Sequence, residues 1–471
     1  MDQQPPGPAG PDVVVVGGGI AGLAAAHALV GRVRTVLLLE GSPELGGKLR
    51  LGSVAGVGVD VGAEALLNRR PEAVALARSV GLELEHPAST GSLLWTRGEL
   101  RRLPRTVLGV PSDLDDLAAT GVLSEEGLAR ARAERLLPAP ERDESVAEFV
   151  GARLGPEVVD RLVEPLLGGV YAGHASTLSA RATVPQVVAL LDRGPSLLAA
   201  AAAVPAASDE PVFAAPTGGV GRLPGAVARA LAGSDRCVVR TGATVRELRR
   251  TPTGFALTLG SAAAPETVEA TRVVLAVPPG PAARLLAEVA PAAAGELGGI
   301  ETASMAIVTH AFRPADLAGL PDGASGFLVP PVDGRRIKAA TFSFAKWEWA
   351  REAGREQDVL VLRTSIGRHR EEAVLQVPDE ELVAASLAHL REATGLTADP
   401  VDSHVQRWGG GLPQYAVGHR ERVARIREAV ARVGEDVPAS GVGLAVCGAA
   451  YDGIGIPACI ASALAAVDSL P

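Results

Sequence analysis

Three glycines near the start of the chain, Gly17, Gly19 and Gly22, have the spacing GxGxxG. They follow the apolar run Val13–Val16 and open a segment rich in alanine, a pattern that predicts a strand, a tight turn and a helix. Such a turn lets the backbone approach a pyrophosphate without a Cβ in the way, and the helix N-terminus offers free N–H groups to the phosphates. The pattern therefore predicts a dinucleotide-binding loop.

A carboxylate, Glu40, ends the next predicted strand, Thr35–Glu40. An acidic side chain at this position accepts hydrogen bonds from ribose hydroxyls. It suits NAD or FAD and disfavours NADP, whose 2′-phosphate would need a cation. Because strand, glycines, helix and carboxylate occur together, a merely glycine-rich turn is the weaker interpretation.

A second glycine pair, Gly46 and Gly47, is followed by the cation Lys48. These three residues could close over the same pyrophosphate from its other side. A plain surface turn explains the spacing equally well, so the sequence leaves both interpretations open.

The far end of the chain carries another glycine-rich loop, between the predicted strand Val442–Gly448 and the predicted helix Pro457–Ala466. Pro457 suits the first position of a helix. A helix N-terminus there could stabilise negative charge at the N1–C2=O edge of a reduced flavin. A nicotinamide enzyme has no need of this second anion-binding surface, so the two loops together favour FAD.

The chain between the two loops is predicted to be rich in helices first and in strands afterwards. Residues 118–205 read as helix-rich, with helix starts at Ser124 and Ser145. Strand-length apolar or alternating segments follow. The predicted strands are Cys237–Arg240, Thr244–Leu248, Phe255–Leu259, Val273–Val277, Ser304–Phe312, Lys338–Phe344 and Val359–Ser365, and the other predicted helices are Pro71–Val80 and Glu380–Thr394.

Composition limits the classes of function. The chain has 471 residues and a formal net charge of −9, which argues against a nucleic-acid binder because phosphate neutralisation needs a basic face. Its three cysteines make no CxxC pair and are expected to be buried thiols. The polar start, Met1 to Gly10, lacks the pattern of a signal peptide, and the apolar stretch Leu197–Ala207 is too short to span a bilayer. We therefore expect a cytoplasmic protein without a transmembrane span.

The sequence contains no HExxH, no GxSxG and no cluster with metal-ligand spacing. The eight histidines are scattered and are expected to be surface or supporting groups, not catalysts. No metal is predicted.

Several segments resemble the flavin amine oxidase superfamily and, within it, the protoporphyrinogen and coproporphyrinogen III oxidase family of the soluble Gram-positive type. EPLLGGVYAG at 164–173 is the most specific of them, and the resemblance spans the chain from Asp12 to about Val467. The other matching segments are the glycine loop with Glu40 and Gly46–Arg50, then Asp60–Glu64, Asn68–Glu72, Leu178–Ser179, Arg407–Trp408, Leu412–Tyr415 and Gly448–Pro457.

The resemblance implies an α/β fold with a three-layer, Rossmann-like FAD-binding domain, an inserted α+β substrate domain and a helical lobe. The implied bounds are 11–80, 212–290 and 405–471 for the FAD-binding domain, 81–97 and 291–404 for the substrate domain, and 98–211 for the lobe. The implied FAD-binding residues are Gly17, Gly18, Gly19, Ile20, Ala21, Gly22, Leu23, Glu40, Gly41, Gly47, Lys48, Gly62, Ala63, Glu64, Ala65, Val245, Trp408, Gly448, Ile454, Gly455 and Ile456.

The implied reaction is the six-electron oxidation of coproporphyrinogen III to coproporphyrin III in haem biosynthesis, with oxygen as acceptor and hydrogen peroxide as product. Gly169 and Tyr171 would lie beside the porphyrinogen. Cations must meet its carboxylates; Arg69 and Arg70 are the candidates, with Lys338 and Lys346 as weaker ones, although solvated surface charge explains any single one of them. The chemistry requires no dedicated general base, and Glu64 is either a titrating group near the flavin or a structural carboxylate.

Four alternatives stay open: a protoporphyrinogen IX oxidase, a flavin amine oxidase, a carotenoid-type desaturase, and a non-catalytic protein that binds FAD or porphyrin. An amine oxidase would need paired aromatic rings, and a desaturase a more apolar lobe. The expected partners are porphyrinogen and oxygen, with transient contact to other haem-pathway enzymes.

Overall fold

A five-stranded parallel sheet joins both ends of the chain. A computed structural model describes residues 10–205, 210–435 and 441–471; residues 1–9 and 206–209, on which parts of the signal-peptide and membrane-span predictions fall, lie outside it. The four side chains of the first strand are fully or almost fully buried, as the valine run predicted. The strand order across the sheet is Cys237–Arg240, Val36–Leu39, Val13–Val16, Arg272–Leu275 and Gly443–Val446.

Each face of this sheet is covered by a different layer. Three helices, Ile20–Val30, Arg222–Ala232 and Ile456–Asp468, pack on one face through small and branched side chains. An antiparallel sheet covers the other face through residues such as Phe255 and Leu257; its strands are Val245–Thr251, Gly254–Ser261 and Ala264–Ala270. The predicted three-layer, Rossmann-like domain is confirmed.

A second, seven-stranded mixed sheet forms the other large unit. One of its faces is buried under the helix Asp379–Thr394. The strand Asp402–Pro413 pairs with Thr302–Phe312 along its length, so this sheet extends past residue 404, where a domain boundary was predicted. The strand order is Asp402–Pro413, Thr302–Phe312, Leu360–Ile366, Ile337–Thr341, Ala324–Leu328, Gly91–Thr96 and Glu99–Arg102.

A helical lobe packs around its own core, which includes Phe149 and Leu162. Ser124 and Ser145 cap their helices as predicted, and Ser145 forms a full capping box with Glu148. The α-helices of this lobe are Leu114–Thr120, Glu125–Arg132, Val146–Leu154, Pro156–Val158, Glu164–Tyr171, Ala180–Thr183, Pro185–Val188 and Leu197–Ala202, with a π-helical turn at Val159–Val163.

The remaining elements are short. One prediction is wrong in part: the strand expected at Lys338–Phe344 ends at Thr341, because the buried Phe342 turns the chain into the helix Ser343–Lys346. The other α-helices are Pro71–Ser79, Pro279–Leu286, Pro291–Gly298, Glu348–Ala353 and His419–Glu435, and the other strands are Leu51–Val54, Val57–Asp60, Leu66–Leu67, Leu84–Glu85, Thr106–Val107, Val110–Pro111 and Phe213–Pro216. Short 3₁₀ helices occur at Ala189–Arg193, Pro314–Leu317, Pro331–Asp333 and Glu372–Leu375.

Candidate active site

The first glycine loop is shaped by close backbone packing. A Cβ on Gly22 would lie 1.8 Å from the carbonyl oxygen of Gly17, and one on Gly17 would lie 2.4 Å from that of Ala276. A Cβ on Gly19, in contrast, would meet nothing within 4 Å. Gly19 is also the N-cap of the helix Ile20–Val30, and no side chain caps the first N–H groups of this helix, which stay available as donors. The loop offers room and donors for a pyrophosphate.

Glu40 holds this loop from the neighbouring strand. Its carboxylate accepts hydrogen bonds from the N–H groups of Gly18, at 2.6 Å, and Ser42, at 2.7 Å. Gly41 lies against Thr244, where a Cβ would approach the hydroxyl to 2.9 Å, so Val245 lies beside the same edge of the sheet. The carboxylate predicted to bind ribose therefore also fixes the loop.

The second glycine pair closes over the first loop. The N–H of Gly46 donates to the carbonyl of Gly18 at 2.8 Å, and a Cβ on Gly47 would lie 3.3 Å from the Cα of Gly19. Lys48 follows, and burial lowers the pKa of its ammonium group. No carboxylate pairs with Lys48 among the residues that the structure describes. The contact of Gly46 and Gly47 with the first loop favours the interpretation in which this segment closes over the pyrophosphate, and not the interpretation as a plain surface turn.

The segment 62–65 lies between the two sheets. A Cβ on Gly62 would meet the carbonyl of Lys48 at 2.0 Å and the ring of Trp408 at 3.1 Å. The indole N–H of Trp408 donates to the carbonyl of Val61 at 3.0 Å, and Arg363 donates to that of Gly62 at 2.8 Å. Ala63 and Ala65 are half-buried in the same segment.

Glu64 is the buried member of this segment, and it is held by charge. Its carboxylate accepts a hydrogen bond from the hydroxyl of Ser343 at 2.5 Å and pairs with Lys346 at 3.3 Å and Arg363 at 3.4 Å. Burial alone would raise the pKa of Glu64, but the two cations outweigh burial and lower it to about 2. Glu64 is therefore ionised at neutral pH and ties the segment to the second sheet. Of the two roles considered from the sequence, this arrangement fits the structural carboxylate.

The last glycine loop meets the first. A Cβ on Gly448 would lie 3.8 Å from the Cβ of Ala21, and the helices that follow the two loops pack against each other. The second of these helices, Ile456–Asp468, has Gly455 as its N-cap and again no side-chain cap. Ile454 is half-buried and Gly455 exposed. The second glycine loop therefore begins beside the start of the first helix, so the two loops meet, as the sequence predicted.

A row of side chains leads away from this junction along the second sheet. Cross-strand register places Leu328, Ala339 and Ser365 on one row and Thr341 beside Arg363 on the next. All five are half-buried, on the face opposite the helix Asp379–Thr394; we call them the inner face. Arg363 marks its end nearest residues 62–64.

The segment Glu164–Tyr171 borders the other end of the inner face. Gly169 is exposed, and a Cβ built on it would lie 3.9 Å from Leu328. Tyr171 is buried, with burial raising its pKa to about 12, and its ring lies 5.5 Å from that of Tyr415. Gly169 therefore faces the inner face, and we call the region between them the candidate pocket; Tyr171 packs behind Gly169.

The comparisons with known proteins agree with this geometry. The family model for flavin containing amine oxidoreductases matches residues 20–470. The chain belongs to that family. Coproporphyrinogen III oxidase of Mycobacterium tuberculosis (strain ATCC 25618 / H37Rv) is 38% identical over 97% of this chain and 96% of its own length, and that of Bacillus subtilis (strain 168) is 30% identical over 97% of each chain.

Solved structures support the same family. A provisionally named protoporphyrinogen oxidase from Exiguobacterium sp. 255-15 superposes with a TM-score of 0.83 and 30% identity, covering 98% of this chain and 99% of that one. Cyclohexylamine oxidase from Brevibacterium oxydans IH-35A has a TM-score of 0.67 at 18% identity, which establishes the shared fold alone. The family resemblance, the oxidoreductase class and the FAD cofactor predicted from the sequence are confirmed.

The four cationic residues predicted to meet the carboxylates of the substrate lie in different surroundings. Lys346 pairs with Glu64, and the buried Lys338 donates to the carbonyl of Gly367 at 2.6 Å, with burial lowering its pKa to about 7. Arg70 is exposed and pairs with Glu72 at 2.8 Å. Arg69 is exposed and has no ion-pair partner in the described parts of the chain. Their roles toward substrate stay predictions.

Neither the inner face nor Arg363 was predicted from the sequence, whereas Tyr415 belongs to the matching segment Leu412–Tyr415. Alternation along Leu360–Ile366 could have located Arg363 and Ser365, but alternation alone does not identify which face meets a cofactor.

The cysteines are buried as expected, with burial raising the pKa of Cys447 to about 12 and those of Cys237 and Cys459 to about 11.

Among residues 10–205, 210–435 and 441–471, no helix is both long and apolar enough to cross a bilayer. None of the His, Cys, Asp and Glu side chains of these residues form a group of three or more that could hold a metal ion.

Proposed function

We propose that this oxidoreductase converts coproporphyrinogen III to coproporphyrin III in haem biosynthesis, with oxygen as acceptor and hydrogen peroxide as product. The observation that carries the proposal is the near full-length identity of 38% with the M. tuberculosis protein of that name. Bound FAD supplies two-electron oxidation, so the six-electron change requires three turnovers and three molecules of oxygen.

In this proposal the two glycine loops hold FAD from opposite sides. The open space above Gly19 takes the pyrophosphate, and Glu40 takes ribose hydroxyls with its free lone pairs. Trp408 and residues 454–456 border the isoalloxazine, where the uncapped helix start at Ile456 stabilises negative charge. Lys48 supplies the unpaired positive charge between them.

The inner face and Gly169 position the macrocycle beside the flavin. Small side chains such as Ala339 and Ser365 leave room for a broad, flexible ring between residues 62–64 and the helical lobe. Arg69 is the better candidate for a substrate carboxylate, because Arg70 is already paired with Glu72. The protein contributes position and charge, and the pyrrole proton leaves to solvent or a backbone carbonyl.

Protoporphyrinogen IX is the second candidate substrate, favoured by the likeness to the Exiguobacterium structure. Coproporphyrinogen has two more carboxylates, so a site with a free cation favours it. An amine substrate is disfavoured by the segment 169–173, which resembles the porphyrinogen oxidases. We further propose a cytoplasmic location and transient contact with other haem-pathway enzymes.

The test is to give the purified yellow protein each porphyrinogen in turn and follow porphyrin fluorescence and peroxide. We expect three peroxides per porphyrin and a higher kcat/KM with coproporphyrinogen III. Arg69→Ala should raise KM about tenfold for coproporphyrinogen, by loss of one charge-assisted hydrogen bond, whereas Arg78→Ala, an exposed arginine on the following helix, should not. No gain in fluorescence, with rapid peroxide formation from an amine, would contradict the proposal.

A further inference from the structure

The C-terminal glycine loop, residues 448–455, is held by side chains that lie outside it: Ser462 accepts a hydrogen bond from the N–H of Gly448 at 3.2 Å, and Arg427 donates to the carboxylate of Asp452. Gly448 and Gly453 have φ values of 121° and 138°, which other residues rarely adopt. The helix that follows has no side-chain cap at Gly455. Something outside the loop must therefore fix where the helix begins.

The hydroxyl of Tyr415 supplies that support. It donates a hydrogen bond to the carbonyl of Ala449 at 2.8 Å and accepts one from the N–H of Gly453 at 2.8 Å. Tyr415 is 1% exposed, so both bonds are shielded from water. A single buried hydroxyl thus joins Ala449 to Gly453 across the loop.

Two neighbouring rings hold the Tyr415 ring in place. His419 stacks on it, with ring centroids 3.8 Å apart and planes 13° apart, and Tyr171 lies on another side at 5.5 Å. Tyr415 also accepts a hydrogen bond at its carbonyl from the N–H of Ser179 at 2.7 Å. Tyr171 and Ser179 belong to the helical lobe, so the loop takes its position from the lobe that borders the candidate pocket.

We propose that Tyr415 is a positioning residue that sets the start of the helix Ile456–Asp468 against the flavin. This inference rests on the proposed place of residues 454–456 beside the isoalloxazine. A helix N-terminus stabilises the negative charge of the reduced ring only within about one turn, so a displaced helix start lowers the reduction potential. The Tyr415 hydroxyl therefore tunes the flavin without touching it.

The test is the variant Tyr415→Phe, which keeps the ring and its contact with Tyr171 but loses both hydrogen bonds. The midpoint potential is measured by dye equilibration of the FAD-loaded protein, without any porphyrinogen. We expect reduced flavin to bind about tenfold more weakly relative to oxidised flavin, a shift of about 30 mV to more negative potential for this two-electron couple. The visible flavin spectrum should change, and kcat should fall while KM is unchanged.

The matched control is Tyr451→Phe in the same loop. The hydroxyl of Tyr451 is buried and has no hydrogen-bond partner among the described residues, so its removal should leave the potential unchanged. An unchanged potential in Tyr415→Phe, or an equal shift in both variants, would overturn the proposal.

A measurement on the wild-type protein covers the case in which Tyr415→Phe does not fold. Hydrogen exchange should find the Gly453 N–H strongly protected, and exchange at the rate of an open loop would overturn the proposal. Failure of the protein to oxidise coproporphyrinogen would contradict the proposed function alone, because neither the potential nor the exchange rate depends on that substrate.

Discussion

The two glycine loops have similar tasks but are held in place by different means. The first loop is shaped by contacts within its own βαβ unit, such as Gly22 against Gly17, and by Glu40 from the adjacent strand. The loop at 448–455 depends on Tyr415, a side chain from outside its own strand and helix. The residues that shape the first loop therefore lie within or beside its own motif, so the motif alone identifies it. The second loop cannot be identified in the same way, because Tyr415 lies outside the strand and helix that flank it.

The strongest test of this difference is Gly22→Ala. The added Cβ would lie 1.8 Å from a carbonyl oxygen of the loop itself, so the backbone must move. We expect the affinity for FAD to fall more than about 100-fold and the apoprotein to lose several kcal/mol of stability, about 3 or more. FAD titration and thermal melting measure both effects.

Gly225→Ala is the control for that prediction. It lies in the helix Arg222–Ala232, and its Cβ would make an ordinary contact with Arg229 at 3.6 Å. Its stability should be unchanged or slightly higher. Normal FAD binding by Gly22→Ala would contradict the view that the first loop is rigid.

Residues 62–65 differ from both loops because the ion pairs of Glu64 hold them in place. Glu64→Gln removes the buried carboxylate that pairs with Lys346 and Arg363 and leaves these two half-buried cations uncompensated. We expect the free energy of unfolding to fall by about 3–5 kcal/mol, measured by denaturant titration. Glu348→Gln, which neutralises an exposed glutamate near the same cluster, should have little effect. Equal stabilities would mean that charge does not hold residues 62–65.

Glu40→Gln tests the charge within the first loop. The amide keeps one acceptor oxygen, so it cannot serve both the Gly18 and the Ser42 N–H groups. A hydrogen bond to a charged group contributes about 1.5–3 kcal/mol, and we expect FAD to bind about 10- to 100-fold more weakly. The control is Glu44→Gln, an exposed carboxylate 3.4 Å from Arg50. An affinity equal to wild type would contradict the role of Glu40.

Acid should weaken the support of the second loop. Burial lowers the pKa of His419, the ring stacked on Tyr415, to about 4, below its ordinary value of 6.5. The unfolded chain therefore binds the extra proton first, and the stability that neutral His419 contributes above pH 6.5 is lost as pH falls from 6.5 to 4. The slope is about 1.4 kcal/mol per pH unit.

The variant His419→Phe keeps a ring against Tyr415 but cannot titrate. Its free energy of unfolding, followed by denaturant titration at several pH values, should fall less steeply below pH 6.5 than that of wild type. His310, whose pKa is also lowered by burial to about 4, contributes the same background to both proteins. Identical slopes would exclude His419 as the cause.

The sequence predicted elements whose signals are local. The strand Cys237–Arg240 and the capped helix at Ser145 were predicted correctly, because apolar runs and caps are set by neighbouring residues. The strand Asp402–Pro413 was not predicted, and its three consecutive glycines, Gly409, Gly410 and Gly411, are a local signal against a strand. Pairing with Thr302–Phe312 along its length overrides that signal.

The candidate site also has parts that local sequence patterns predict and parts that they do not. Glycine spacing and Glu40 indicated the dinucleotide loop, but the partners of Glu64 come from residues far away in sequence. Lys346 was a weaker candidate for a substrate cation, and its charge in the sequence does not reveal that the buried Glu64 pairs with it. Contacts between the two sheets cannot be read from either sheet's pattern.

The central claim is that both loops grip one FAD, and two alanine substitutions test it most directly. A Cβ on Gly19 meets nothing within 4 Å, and one on Gly455 meets only Pro457 at 3.9 Å, so neither disturbs the protein itself. Gly31→Ala, at the opposite end of the first helix and equally open, is the control.

The measurement is the FAD dissociation constant of the three variants, beside the melting temperatures of their apoproteins. We predict that all three melt within about 3 °C of wild type. Gly19→Ala and Gly455→Ala should each bind FAD at least about tenfold more weakly, and Gly31→Ala should bind it normally. Wild-type affinity in either loop variant would contradict a cofactor held between the two loops.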